Sequence, residues 1–352
     1  MSVQDEIDQI NYELSRVQKN KATEHYIGNL RARMAKMLAK DTSSKGGGLT
    51  YSVKKQGHAT IAFVGFPSVG KSTLLNALTD AESKTASYEF TTVRPIPGML
   101  EYNKTKLQLI DAPGIIEGAS KGKGMGRQII SSVRNADLIL ILLDPFKKRL
   151  DIIQKELFDA GIRLDVKPTE MILKRTVKGG LNIQSTVKQS LDDETIVSMI
   201  REFGYINADV ILREDVTIDR LIDGLTGNRV YVKSIIVFNK LDMLNKKEIE
   251  SIKKEFPQSV FISAEKEIGL DKLKEILWTK LEFKRIYLKR PGHEPDYGDP
   301  LITKGRVTIK DVILKIRKDH TSARVWGKSV KHQGQTVGLN HQLADEDVIT
   351  FG

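Results

Sequence analysis

The chain of 352 residues contains no cysteine, which excludes a disulfide framework and any zinc site built on thiolates. Its six histidines are scattered and form no H-E-x-x-H pair, so the zinc-hydrolase signature is also missing. No uninterrupted apolar run approaches the roughly 18–20 residues that a membrane-crossing helix needs. The opening MSVQDEIDQI is polar and acidic, unlike a secretory signal. These absences set the expectation of a cytoplasmic protein without a membrane partner. What is present describes an ordinary globular chain, 40% hydrophobic and 29% charged, and long enough for two or three domains. The formal net charge of +11 and a pI near 9.4 point to a polyanionic partner, RNA or an acidic membrane surface. A solvated surface that only keeps the protein soluble is the plainer reading.

Composition shifts divide the chain. Residues 1–45 read as a helical hairpin. Ile7, Ile10, Leu14 and Val17 recur at three- and four-residue steps, and a second stripe runs Tyr26, Leu30, Met34, Met37 and Leu38. Thr23 is placed to cap the second helix, and Arg31, Arg33 and Lys36 are expected on the outer face. DTSSKGGG at 41–48 reads as flexible by composition, and the linker is placed at 46–58. Apolar strands at 59–66, 107–110, 137–143, 232–238 and 259–262 alternate with helical stretches, which argues for an α/β domain with a mostly parallel sheet. More than 90 residues separate Asp144 from Asn239, where one βα step needs roughly 30. The excess implies a small α+β insert at 162–228, with KRTVKGGLNI and GYINADVILRED alternating like hairpin strands. The α/β domain would then occupy 59–161 and 229–282. The tail, 283–352, has thirteen Lys/Arg against eight Asp/Glu and reads as a compact ββαββ fold.

The phosphate chemistry is carried by GFPSVGKST at 65–73, which fits G-x-x-x-x-G-K-[ST] between a buried strand and a helix. Gly65 and Gly70 let the backbone curl so that, around Pro67-Ser68-Val69-Gly70 and on through Thr73, the available N–H groups surround phosphate. Proline itself contributes shape and no donor. Lys71 reaches the β- and γ-phosphates, Ser72 offers a hydroxyl to Mg2+, and the helix N-terminus adds its partial positive charge.

FNKLD at 238–242 follows an apolar strand, where a base-recognition loop belongs. Asp242 can accept from guanine N1–H and N2–H2, both absent in adenine. Asn239 braces that loop and Lys240 packs along the ring. Ser263, Ala264 and Glu265 follow the next strand and back the base with main-chain N–H groups. Asp111 ends the strand LQLI and would hold Mg2+ through water, while Gly114 offers its N–H to the γ-phosphate. Thr92, with Thr91 as the alternative, supplies the second Mg2+ hydroxyl, and Arg94 is a candidate transition-state charge. Ile115 stands where many switch GTPases carry a water-orienting glutamine. The candidate catalytic set is Lys71, Thr92 and Gly114, and the candidate metal set is Ser72, Thr92 and Asp111.

Taken in order, GFPSVGKSTLLNAL, YEFTTV, DAPGIIEGA with KGKGMGRQ, NADVILRED, GNRVYV, KRIYLKRPGHEPDY, ARVWGKSVKH and QKNKATEH resemble the developmentally regulated GTP-binding (DRG) family of Obg-related GTPases, in its archaeal type. The resemblance spans nearly the whole chain. It implies a helix-turn-helix hairpin, a P-loop GTPase domain interrupted by the insert, and a C-terminal TGS domain of β-grasp type. It also implies slow GTP hydrolysis to GDP and phosphate, association with ribosomes or rRNA, and a role in translation. Potassium stimulation is a further implied property, although Ser68 stands where some related families place a potassium-holding asparagine. Eukaryotic members bind dedicated stabilising partner proteins. Two other readings stay open: a nucleotide-dependent scaffold with negligible turnover, which Ile115 motivates, and a small-molecule P-loop kinase, which the N-K-L-D stretch disfavours.

Overall fold

The computed structural model describes residues 3–18, 20–44, 55–79, 96–111, 133–316 and 320–351. They divide into two compact units, one made of residues 1–50 and 161–231 and the other of 51–160 and 232–352.

In the first unit, helices α1 (Val3–Arg16) and α2 (Glu24–Ser44) form the hairpin. The turn between them is capped by Asn20 and not by Thr23. Asn20 Oδ1 accepts the Thr23 N–H at 3.0 Å, and the Thr23 hydroxyl accepts the Asn20 N–H at 3.2 Å. The chain re-enters this unit at β5 (Ile162–Leu164) and continues through β6 (Met171–Arg175) and β7 (Leu181–Ser185). Helix α5 (Asp193–Glu202), strand β8 (Ala208–Leu212) and helix α6 (Ile218–Thr226) complete it.

The K-G-G stretch does not make a hairpin of β6 and β7. The order is β6-β8-β7, with β8 antiparallel to β6 and parallel to β7. Burial explains the central place of β8: Ala208, Val210 and Leu212 are fully enclosed, whereas β6 and β7 expose alternate residues to solvent on one face and the ladder edge.

Hairpin and insert, separate in the sequence reading, share one core. Ala32 and Ala35 of α2 are buried with Ile196, Met199 and Ile200 of α5 and with Leu221 and Ile222 of α6. Small residues on α2 permit that close approach. The basic residues expected on the outer face of α2 are partly turned to the same purpose. Arg31 holds Asp219 through both carboxylate oxygens, at 3.0 and 3.1 Å, and Lys36 donates to the Glu202 carbonyl. Arg33 lies 4.0 Å from Glu6 of α1.

Where the insert leaves, Asp223 is buried between two guanidinium groups. Arg163 donates to it at 2.6 and 2.7 Å and Arg229 at 2.9 Å. Removing one partner of a buried charge network leaves the others uncompensated, typically at about 3–5 kcal/mol. Asp223→Ala is therefore expected to lower unfolding stability by about 3–5 kcal/mol, read as a lower urea midpoint. An unchanged midpoint would show the network to be dispensable.

The second unit holds a sheet in the order β10-β9-β4-β1-β3-β2. Its strands are β1 (Ala59–Val64), β2 (Ile96–Tyr102), β3 (Thr105–Asp111), β4 (Leu138–Leu143), β9 (Val230–Phe238) and β10 (Val260–Phe261). Along this order the pairings are parallel except β2 with β3, so the mostly parallel sheet is as expected. The β2 edge strand was not anticipated, because I-P-G-M-L-E-Y carries Pro and Gly that read as loop. Helices α3 (Lys71–Leu78), α4 (Leu150–Asp159), α7 (Lys246–Glu255) and α8 (Leu270–Lys280) accompany the strands. Strands β1 and β4 are buried at every position, as parallel strands covered on both faces are.

The C-terminal part consists of β11 (Phe283–Leu288), β12 (Leu301–Lys304), α9 (Ile309–Ile316), β13 (Ser322–Trp326), β14 (Gln335–Gly338) and β15 (Val348–Thr350). It has one strand more than the expected ββαββ. Its sheet runs β12-β11-β15-β13-β14, with α9 packed by Ile309, Val312 and Ile313 against Ile286, Val325 and Ile349. Trp278 of α8 joins it to the larger sheet, in ring contact with Phe283 and beneath the Arg285 guanidinium.

Candidate functional site

The glycine loop after β1 takes its shape from two local constraints. A Cβ at residue 65 would lie 2.4 Å from the Leu142 carbonyl oxygen of the neighbouring strand, so Gly65 is required by close approach. Gly70 has φ +92°, and a Cβ there would lie 2.4 Å from Asn239 Nδ2; this position needs glycine both for its backbone and for its space. Ser68 also occupies the left-handed region, at φ +63°. Pro67 and Ser68 are exposed and Val69 is buried beneath them.

Gly70 opens α3, and its carbonyl accepts the first helical N–H, that of Leu74, at 2.9 Å. Ser72 and Thr73 face solvent on the first turn. Lys71 is buried, and its Nζ donates to the Gly65 and Phe66 carbonyls at 3.1 and 3.0 Å. Burial pushes the Lys71 pKa down, opposed by the attraction of Asp111. An anionic phosphate at this helix start would favour the charged form again.

The two metal-set residues that the structure describes come together. Ser72 Oγ donates to Asp111 Oδ2 at 2.6 Å. Asp111 Oδ1 is buried and has no hydrogen-bond partner among the described residues. A buried carboxylate oxygen left open beside a hydroxyl suits a hard divalent cation with oxygen ligands, as Mg2+ is. Thr91, Thr92, Arg94, Gly114 and Ile115 lie outside the described residues.

The base loop is braced by one side-chain amide. Asn239 is 4% exposed. Its Nδ2 donates to the Val69 carbonyl of the glycine loop at 2.9 Å, and its Oδ1 accepts the Ala264 N–H at 2.9 Å. Three loops distant in sequence are thereby tied at a single residue, with both ends of the amide satisfied. Asp242 is exposed, and the Ser263 hydroxyl beside it is the main cause of a pKa held below the ordinary carboxylate value. Its carboxylate therefore stays ionised and ready to accept. Ser263 and Ala264 are buried, while Glu265 faces solvent. Lys240, expected along the base, also forms an ion pair with Asp144, at 2.8 Å. Asp144 was not singled out from the sequence. Its signal was available, since it follows the apolar run L-I-L-I-L-L as Asp111 closes L-Q-L-I-D.

With the phosphate loop and the N-K-x-D loop joined through one amide, the domain is that of a P-loop GTPase. Family models match along the chain: one described as a 50S ribosome-binding GTPase over residues 60–175, the C-terminal region of that domain over 178–283, and a TGS domain over 284–351. An uncharacterized GTP-binding protein of Methanocaldococcus jannaschii is 47% identical, covering 100% of this chain and 93% of its own. Developmentally-regulated G-protein 2 of Arabidopsis thaliana is 40% identical over 99% of this chain and 91% of its own. Among solved structures, a GTP binding protein from Pyrococcus horikoshii is 14% identical, with a TM-score of 0.43 over 83% of this chain and 99% of its own. The chain belongs to the developmentally regulated GTP-binding family, and it is a GTPase. Among the described residues no helix is long and apolar enough to cross a membrane.

Proposed function

We propose that the protein is a slow GTP-hydrolysing switch whose nucleotide state controls association with the ribosome or its RNA. The observation that carries this reading is the Asn239 amide, which makes base recognition and phosphate-loop shape parts of one structure. In the proposed site Gly65 to Thr73 cradle the phosphates, Asp242 reads guanine, and Asn239, Ser263, Ala264 and Glu265 frame the base pocket. Ser72 and Asp111 would hold Mg2+ together with Thr92, and the bound ion would neutralise phosphate charge. Lys71 leaves its carbonyl partners for the β- and γ-phosphates, and Gly114 hydrogen-bonds the γ-phosphate. With Ile115 unable to orient water, placement falls to backbone, to a monovalent ion such as K+, or to the docked partner.

Charge distribution supports a polyanionic partner and favours one of the two units as the part that would meet it. Residues 1–50 and 161–231 hold eighteen Lys/Arg against seventeen Asp/Glu. The rest of the chain holds thirty-eight against twenty-eight. The GTPase and C-terminal parts therefore carry nearly all of the surplus that would attract RNA. A dedicated stabilising protein is a further partner that the family likeness suggests.

The test is sedimentation with ribosomes in GTP, in GDP and without nucleotide, alongside phosphate release in sodium and in potassium buffer. Co-sedimentation with GTP and release with GDP are expected. The expected intrinsic turnover is on the order of 10⁻⁴ to 10⁻² per second. Binding indifferent to nucleotide would sink the switch reading. No phosphate release under any condition would leave a nucleotide-dependent scaffold.

A further inference from the structure

Lys240, the second residue of the N-K-x-D stretch, is held at both ends. Its backbone lies in the left-handed region at φ +61°, and its Nζ sits 2.8 Å from Asp144 Oδ2. Asp144 is the more enclosed partner, 14% exposed against 34% for the lysine. Its other oxygen accepts the Phe146 N–H at 2.9 Å, and its carbonyl accepts the Lys147 N–H at 3.0 Å. That turn fixes the carboxylate independently of the lysine. The strand ends beneath are tied as well, because the Asn239 N–H donates to the Leu143 carbonyl at 3.0 Å. Burial acts to raise the Asp144 pKa, but the hydrogen bonds from Lys240 and from the Phe146 N–H outweigh it and hold the acid below its ordinary value.

We propose that Asp144 is a positioning residue for the guanine base: by anchoring the Lys240 ammonium it stretches the lysine stem into a fixed apolar strip against which the base stacks. This rests on the reading that Lys240 and Asp242 form the base site. A lysine stem is flexible, and its hydrated head is otherwise free to seek solvent or phosphate. Pinned to a carboxylate, the ammonium has its charge balanced locally. The residue then serves the base through its methylenes and not the phosphates through its charge. Asp144 accordingly governs affinity for GTP and GDP alike and leaves the γ-phosphate chemistry untouched.

The test uses the full-length chain with Asp144→Asn, Asp144→Glu, Lys240→Met and the Asp144→Asn/Lys240→Met double variant. Release of fluorescent GDP and of a fluorescent non-hydrolysable GTP analogue is followed with kcat at saturating GTP. Asp144→Asn is expected to speed release of both nucleotides about tenfold while kcat stays within about twofold. Asp144→Glu should recover most of the loss, because the ion pair can re-form. The double variant should be no worse than Lys240→Met alone, since the carboxylate acts only through the lysine. Release by Asp144→Asn at the wild-type rate, or losses that add in the double variant, would overturn the role of Asp144 and leave the base site standing. Unchanged release by a Lys240→Ala variant, which removes the stem itself, would overturn the base-site role of Lys240 and the role of Asp144 with it.

Discussion

Lys71→Ala is expected to reduce kcat for GTP by at least about a hundredfold, the usual consequence of removing a preorganised charge from a developing anion. The substitution is placed where folding tolerates it. Alanine is the strongest helix former and residue 71 is the first of α3. The lost ammonium is one that burial already penalises, which offsets the hydrogen bonds that the Gly65 and Phe66 carbonyls lose. Thermal stability of the variant should thus stay close to that of the parent while turnover collapses. Phosphate release under single-turnover conditions is the measurement. Near-parental turnover by a folded Lys71→Ala protein would remove this residue from the phosphate site.

The second large effect concerns the base. Asp242→Asn should weaken GTP binding by about 10²–10³-fold, and the variant should prefer xanthosine triphosphate. An asparagine presents one acceptor and one donor where the aspartate presents two acceptors. The donor then meets the guanine 2-amino group, whereas xanthine offers a 2-oxo acceptor at the same place. The carboxylate is exposed and its ionised form is favoured by the Ser263 hydroxyl, so the change costs the fold little and the effect belongs to recognition. Competition of GTP and xanthosine triphosphate against a fluorescent nucleotide reads the preference directly. A variant that still favours guanine would show that the base is read elsewhere.

Those two candidates could be picked from the sequence because the chemistry expected of them is written in contiguous motifs. The P-loop, D-x-x-G and N-K-x-D stretches each keep functional side chains within a few residues, at the end of a strand that apolar runs announce. What escaped the reading depends on pairs remote in the chain. Asp144 and Lys240 lie 96 positions apart, and no local pattern couples them until β4 and β9 pair. The order β6-β8-β7 was hidden for the same reason, since K-G-G is a sound turn signal whose flanking strands are separated by a third. Arg31 and Lys36 looked solvated because a helical wheel shows only which face a residue occupies. It does not show that residues 161–231 return to cover that face. Thr23 was mistaken for the cap because Asn20, three residues earlier, caps the short turn that precedes α2, and the Thr23 hydroxyl turns back to the Asn20 N–H.

The shared core of hairpin and insert has a consequence for how the chain is made. The hairpin leaves the ribosome before the insert, yet Ala32 and Ala35 are buried against residues 191–225. At about 5–20 residues per second, the partner surface arrives roughly ten to forty seconds later. Through that interval the face of α2 that carries Ala32 and Ala35 lacks its cover from residues 191–225, and the whole of β1 to β4 is synthesised in between. The hairpin therefore waits for its native packing, which is completed only after the phosphate loop has been built.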